Sequence, residues 1–515
     1  MKKTILSIVA FALSAITVCF GTETATQKVL GNEPYRPHVH FTPPAHWMND
    51  PNGLVYHNGE YHLFYQYYPD GTTWGPMHWG HAVSKDMMSW KHLPIALYPD
   101  SLGYIFSGSA VVDVNNTSGL GTKENPPMVA VFTYHNPKLE RSGSNVYQYQ
   151  GMAYSLDNGR TWTKYAKNPI IPNPGMRDFR DPKVSWNEKT QKWVVVFAAG
   201  DKVRFYSSPN LLDWTFESEF GQNIGAHGGV WECPDIFPLK AGNTDKAKWV
   251  LLVSINPGGP FGGSATQYFV GDFDGKKFKP DNTEIRWIDF GKDNYAGVTW
   301  SNIPKADGRR LFLGWMSNWQ YAEKVPSEAW RSAMTLPREL SLIPSKAGYS
   351  LVSLPVKELD AFRKNEIKTA VKQVNGSKEI STTVSPVQLK LTFAVNQKSG
   401  KQFGVKLTNG QNEEVVIGYD KEKQQLYMDR MKSGKVDFSK DFPAITSAAC
   451  PVENGKVELN IVIDEASVEV FAQQGKVVMT NIVFPTQPYS KLLLFSDKGK
   501  TKVSECKIWE LKTNR

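Results

Sequence analysis

The chain lacks several features that would assign it to a common class. It has only four cysteines in 515 residues. Without the one near the N-terminus, Cys233, Cys450 and Cys506 remain, too odd and sparse a set for a disulfide framework. Cys450 and Cys506 could pair, although buried free thiols suit them at least as well. Nothing near Cys233 would activate a thiolate, so it reads as a small packed residue. No Cys/His set has zinc-ligand spacing. His78 and His81 stand three residues apart, but Trp74-Gly75-Pro76-Met77-His78-Trp79-Gly80 argues against the helix that would put them on one face, so no metal is expected. No apolar run beyond the first twenty residues is long enough to cross a bilayer. Acidic and basic residues are interspersed with no long basic run, which disfavours nucleic-acid binding despite a net charge of +9.

At the N-terminus, Lys2 and Lys3, an apolar run from Ile5 to Phe20 and small residues near Gly21 read as a signal peptide over residues 1-21. This implies export to the periplasm or the exterior. The alternative is a lipid anchor on Cys19, since Ile16-Thr17-Val18-Cys19 loosely resembles a lipoprotein box, although Val18 is large for it. Losing Lys2 and Lys3 with the leader lowers the charge to about +7, a balance that concerns solubility more than a charged substrate.

The length suits two domains, and the apolar content suffices for two cores. After an extension over residues 22-37, the pattern is of short strands. Leu54-Val55-Tyr56 and Tyr61-His62-Leu63-Phe64-Tyr65 flank His57-Asn58-Gly59-Glu60, a hairpin signal. Lys192 to Phe197 and Lys248 to Val253 are continuous apolar runs of strand length that suit buried inner strands. A degenerate repeat runs through this region: a polar turn at Ser84-Lys85-Asp86, Ser155 to Gly159, Ser208-Pro209-Asn210 and Asp272 to Gly275 leads to Trp90, Trp162, Trp214 and Phe278 in turn. The spacing is that of a propeller blade, and four such units plus the remaining sequence predict four or five blades over residues 38-345. A linker over 346-365 holds a Pro-started short helix from Leu354 to Arg363. Beyond it, alternating segments such as Val387 to Phe393, Val457 to Ile463, Ser467 to Phe471 and Lys491 to Phe495 predict a β-sandwich over 366-515. The expected class is therefore all-β.

Three carboxylates stand in proline-punctuated segments: Asp50 in Trp47-Met48-Asn49-Asp50-Pro51-Asn52-Gly53, Asp181 in Phe179-Arg180-Asp181-Pro182, and Glu232 in Trp231-Glu232-Cys233-Pro234. Proline restricts itself and the residue before it, so these backbones are held in extended or turn geometry. Paired acids suit glycosidic cleavage, in which one attacks or stabilises an oxocarbenium-like centre and another protonates the leaving oxygen. Taken singly, an Asp-Pro-Asn-Gly string is usually a turn and an Arg-Asp pair a surface ion pair.

Taken together with His40-Phe41-Thr42-Pro43-Pro44, Phe64-Tyr65-Gln66, Trp74 to His81, Phe106-Ser107-Gly108-Ser109, Gly314 to Tyr321 and Leu336-Pro337-Arg338-Glu339-Leu340, these segments resemble glycoside hydrolase family 32, the β-fructofuranosidases. Within that family the chain looks most like bacterial levanases and exo-inulinases. The resemblance implies a five-bladed propeller with an appended sandwich, hydrolysis of levan, inulin and sucrose with retained configuration, and no cofactor. By the same resemblance Asp50 is the nucleophile, Glu232 the acid and then base, and Asp181 the transition-state stabiliser. Trp47, Asn49, Gln66, Ser107 and Arg180 are its substrate-site residues and Trp74 and Trp319 its aromatic walls; Phe106, from its place beside Ser107, is expected to close the pocket. Physically, Asn49 should help keep Asp50 ionised, Trp231 should give Glu232 the apolar surroundings that raise a carboxyl pKa, and Arg180 should hold Asp181 charged. Oligomeric state and preference between levan and inulin are not legible.

Overall fold

Period-two apolar segments joined by tight turns build five antiparallel sheets in succession, as seen in a computed structural model that describes residues 33–242 and 244–513. The leader and the Cys19 alternative lie outside the described residues. The first blade is formed by His46–His57, Glu60–Tyr68, His78–Ser84 and Trp90–Leu97, and the second by Tyr104–Val112, Met128–His135, Gln148–Ser155 and Thr163–Lys164. Phe179–Asn187, Lys192–Ala199, Val203–Ser208 and Thr215–Phe220 make the third, and Val230–Lys240, Ala247–Asn256, Ala265–Phe273 and Phe278–Pro280 the fourth. In the fifth, Tyr295–Thr299 pairs with Arg310–Met316, then Arg338–Ser345 and Gly348–Pro355. The opening strands of the five blades touch in cyclic order, the fifth against the first, which closes a five-bladed propeller.

Each polar turn of the repeat joins the third strand of a blade to its fourth. Asp86 accepts the backbone N–H of Met88 and Ser89, Asp157 that of Thr161, Asn210 those of Leu212 and Asp213, and Asp274 those of Lys276 and Lys277. A short polar side chain thus replaces the ladder where the strand reverses. Asn58 and Gly59 take φ values of 45° and 83°, which is what their hairpin demands.

Two boundaries differ from expectation. Gly348–Pro355 pairs with Arg338–Ser345, so the fifth blade runs ten residues into the segment expected as linker, and the helical turn is a short 3-10 helix at Lys357–Phe362. Lys491 to Phe495 is only the start of a 21-residue strand, Lys491–Leu511. Its first part pairs with Gln402–Thr408 and its second with Val387–Ala394, so one strand serves both layers of the C-terminal sandwich. Leu389, Leu391 and Phe393 meet Val405, Leu407 and Ile417 in the core between those layers. The cysteines are all free among the described residues, Cys450 and Cys506 included. His78 and His81 lie on one strand but face opposite ways: His78 packs on Tyr98, and His81 stacks on Phe64 at 4.0 Å. No helix among the described residues is long and apolar enough to cross a membrane.

The two domains meet through buried ions. His40 bonds Asp464 at 2.7 Å and Glu469 at 2.8 Å, Arg338 bridges Glu469 and Asp289, and Arg430 reaches from the sandwich to Asp293 at 2.6 Å. Burial alone would lower the His40 pKa, but its two carboxylate bonds outweigh that and raise it to about 9.

Candidate active site

All five inner strands are bulged at one level. Register with the second strand slips between Met48 and Pro51, Ile105 and Gly108, Arg180 and Lys183, Glu232 and Asp235, and Tyr295 and Val298. A bulge inserts a residue and re-aims its neighbours, and it tolerates proline because the ladder is already broken there. The prolines at 51, 182 and 234 therefore mark the places where the strands twist their acids toward the axis. Asp181 and Cys233 sit at φ 64° and 45°, a left-handed geometry that is costly for non-glycine residues and is held by the surrounding ring.

The acids converge there. Asp50 takes hydrogen bonds from Ser107 Oγ at 2.7 Å and Asn49 Nδ2 at 3.0 Å, with Cys233 Sγ at 3.4 Å. Burial and the charge of Glu232 nonetheless push its pKa upward, because together they exceed those three bonds. Asp181 is held by the backbone N–H of Cys233 at 2.9 Å. Burial, opposed by Arg180 but reinforced by Glu232 and Asp50, raises it to about 7.

Arg180 is spent differently from expectation. Its guanidinium grips Glu232 Oε1 at 3.0 Å and Asp178 at 2.7 Å, while Asp181 lies 3.9 Å away. The other Glu232 oxygen accepts the hydroxyl of Tyr295, a buried residue whose pKa is driven well above the ordinary tyrosine value by burial and the Glu232 charge. Trp231 does not line the acid. Neighbouring strand residues point to opposite faces, and its ring sits between blades with its Nε1 on the Ala226 carbonyl at 2.8 Å.

The remaining expected residues fall into two groups. Trp47 is fully buried and has no surface to offer a ligand. It acts from behind, donating to Asn49 Oδ1 at 2.8 Å and stacking on Trp319 at 5.8 Å. Gln66 is buried too, and its amide nitrogen braces the Ile105 carbonyl at 3.0 Å, beside the bulge that carries Phe106 and Ser107. Trp74, Phe106 and Trp319 keep open faces. Trp74 is 39% exposed and meets Phe106 edge-on at 5.9 Å, and Phe106 stacks on His135 at 4.3 Å.

Three contributors escape the sequence reading: Tyr295, the Cys233 main chain, and the Gln148–His135 pair behind Arg180. Gln148 Oε1 accepts from Arg180 at 3.3 Å, and its Nε2 lies 3.3 Å from His135. Tyr295 opens the fifth inner strand as Asp181 and Glu232 lie near the start of theirs, so blade register would have found it. The Cys233 thiol is pushed far up by burial and the surrounding acids, which fits a packing and donor role and not a nucleophile.

Residues 40–355 match the glycosyl hydrolases family 32 N-terminal domain and residues 358–510 the family's C-terminal model. A levanase of Bacillus subtilis is 49% identical over 99% of this chain and 75% of its own length. An extracellular exo-inulinase of Aspergillus awamori is 41% identical over 97% of each. The crystal structure of an exo-inulinase from that fungus superposes with a TM-score of 0.87 at 38% identity, covering 94% of this chain and 99% of that one. A β-fructofuranosidase from Schwanniomyces occidentalis complexed with fructosyl-erythritol gives 0.85 at 34%, over 93% and 98%.

Proposed function

This chain belongs to glycosyl hydrolase family 32, and from that premise we propose that it is an exo-acting, retaining β-fructofuranosidase that removes terminal fructose from levan, inulin and sucrose. The relatives named levanase and exo-inulinase support hydrolysis of fructans. The observation that carries the mechanism is the bulged ring that sets Asp50, cradled by Ser107 and Asn49, opposite Glu232, held by Arg180 and Tyr295.

The chemistry follows from those partners. The Asp50 carboxylate attacks the anomeric carbon of the terminal fructofuranosyl unit while Glu232 gives its proton to the glycosidic oxygen, and the rest of the chain leaves as an alcohol. Glu232, now a base, takes a proton from water, which attacks the same carbon and frees Asp50. Asp181 binds ring hydroxyls, with its position fixed by the Cys233 N–H. Phe106, Trp74 and Trp319 give the flat walls a furanose needs. A relative named as extracellular and the signal-peptide pattern read over residues 1-21 both favour action outside the cytoplasm.

Two measurements test this. Carbon NMR early in the reaction should find fructose with the substrate's anomeric configuration, and an inverted first product would rule out double displacement. Chromatography of levan and inulin digests should show free fructose from the first minutes, whereas an early ladder of oligosaccharides would mean an endo-acting cleft.

A further inference from the structure

We propose that His135 is a positioning residue for the acid: through the Gln148 amide it fixes the guanidinium of Arg180, and so aims the Glu232 carboxyl that protonates the leaving oxygen. The role of Glu232 rests on reading the chain as a retaining fructofuranosidase. His135 and Gln148 stand opposite each other on two paired strands of the second blade, Met128–His135 and Gln148–Ser155, so their side chains share one face. From there the path crosses to Arg180 in the third blade and Glu232 in the fourth.

Each link has one polarity. Glu140 Oε2 lies 3.0 Å from His135 Nε2 and, as a carboxylate oxygen, only accepts, so Nε2 carries the proton. Burial, opposed by Glu140 and reinforced by Arg180, pushes the ring's pKa below the ordinary histidine value, which leaves Nδ1 with a free lone pair. That lone pair accepts from Gln148 Nε2 at 3.3 Å, and the amide turned this way has its carbonyl oxygen ready for Arg180 Nη1, also at 3.3 Å. Turning the amide over would set lone pair against lone pair at His135 and donor against donor at Arg180. Nη1 also donates to Asp178 at 2.7 Å, while Nε and Nη2 both donate to Glu232 Oε1, at 3.2 and 3.0 Å. One bond on Nη1 is a pivot; two fix the plane of a rigid guanidinium and hence the edge it presents to Glu232. His135 has a second contact, the Phe106 ring stacked at 4.3 Å with 6° between the planes, so its removal disturbs the pocket wall as well as the acid.

Two substrates separate those effects. In the full-length protein, kcat/KM is measured on sucrose, whose leaving alcohol needs the Glu232 proton, and on β-D-fructofuranosyl fluoride, whose fluoride departs without one. His135→Phe keeps a ring against Phe106 but offers Gln148 no acceptor, and should lower the sucrose-to-fluoride ratio about tenfold, the worth of one or two neutral hydrogen bonds. His135→Asn loses the stack but keeps an amide oxygen near the Nδ1 position, and should return the ratio to that of the wild type even where both constants fall. Gln148→Met cuts the same chain with the His135 ring in place, so it carries the experiment if His135→Phe does not fold. An unchanged ratio in Gln148→Met, or a ratio in His135→Asn as low as that in His135→Phe, would overturn the proposal. Glu232→Gln, assayed alongside, judges the reading beneath it. Equal losses on both substrates there would refute Glu232 as the acid and this role with it, whereas a collapsed ratio there beside an unchanged one in Gln148→Met refutes the role alone.

Discussion

Asp50 sits in a balance between burial and Glu232, which favour its neutral form, and three hydrogen bonds that favour the anion. Asp50→Asn and Glu232→Gln each preserve shape and should lower kcat by on the order of three powers of ten, about 4 kcal/mol of barrier. A stable Asp50→Asn protein with a tenth of wild-type activity would remove Asp50 from the mechanism. Asp181 permits a sharper test. Its folded pKa is raised to about 7 from 3.8, so the folded state holds its proton more tightly than the unfolded chain does. The penalty is absent below 3.8 and grows as pH rises toward 7. Asp181→Asn should therefore raise Tm at pH 7 to 8 relative to wild type, with no gain near pH 3, while activity collapses; an unchanged Tm at pH 8 would show that the site stores no such strain. At this scale the acids are legible in the sequence because their prolines are local signals. The partners are not: Arg180 takes Glu232 from another blade, and Tyr295 has no proline or motif to mark it.

The bulge is the element on which the site depends. Next to the slip that carries Asp50, the first inner strand slips again between Asn52 and Val55; Gly53 sits there at φ 52°, and a Cβ on it would lie 2.6 Å from the Phe64 ring and 2.9 Å from Trp79. Gly53→Ala combines backbone strain with overpacking and should cost about 2 kcal/mol or more. Because the strand must shift to relieve the clash, kcat should fall as well. Denaturation and kinetics on the one variant decide it, and a stable, fully active Gly53→Ala enzyme would show that this second slip does not help position Asp50. Elements whose information is local are readable from sequence, including the Asn58-Gly59 hairpin and the four polar turns before aromatic plugs. The 21-residue strand is not, because its alternation breaks at Asp497 to Lys502, where it passes from one layer to the other. Five blades and not four required the family resemblance, since the fifth blade carries no copy of the repeat.

For the molecule as a whole, the buried ions between propeller and sandwich set a pH window. The His40 contribution is complete below 6.5 and is lost as pH rises through about 9, while that of Asp464 is complete above 3.8 and is lost as pH falls through about 2. For Asp464, burial opposes ionisation, and the His40 pair with the backbone N–H groups of His38 and Val39 overcomes it. Tm should therefore fall between pH 7 and 10 in the wild type. His40→Gln should be less stable at pH 7, by about 3 kcal/mol or more for the buried carboxylates left behind, and should show a flatter alkaline profile. Parallel alkaline profiles for the two proteins would exclude His40 as the group responsible. The domain count is legible from composition and alternation, but this junction is not, since residue 40 meets residues 464 and 469 only once the fold exists.

The way the ring closes also fixes when a nascent chain can become an enzyme. Each blade is built from consecutive strands, and among the described residues later segments add only short pieces to early blades: a two-residue parallel clasp of Trp330–Arg331 on His46–Trp47 and single bridges of Ser301 to Val55 and Leu342 to Ala241. What joins the ends is an apolar seam in which Trp47, Met48 and Leu54 pack with Tyr295, Trp300, Leu313 and Trp315. A chain folding from its N-terminus has all three acids by residue 232 and four complete blades by residue 280. It still lacks the Tyr295 hydroxyl that holds Glu232, and one flank of the first blade stands open to water until the fifth arrives. Catalytic competence therefore switches on only once the fifth blade has docked, and until then the exposed apolar flank of the first blade is the aggregation hazard.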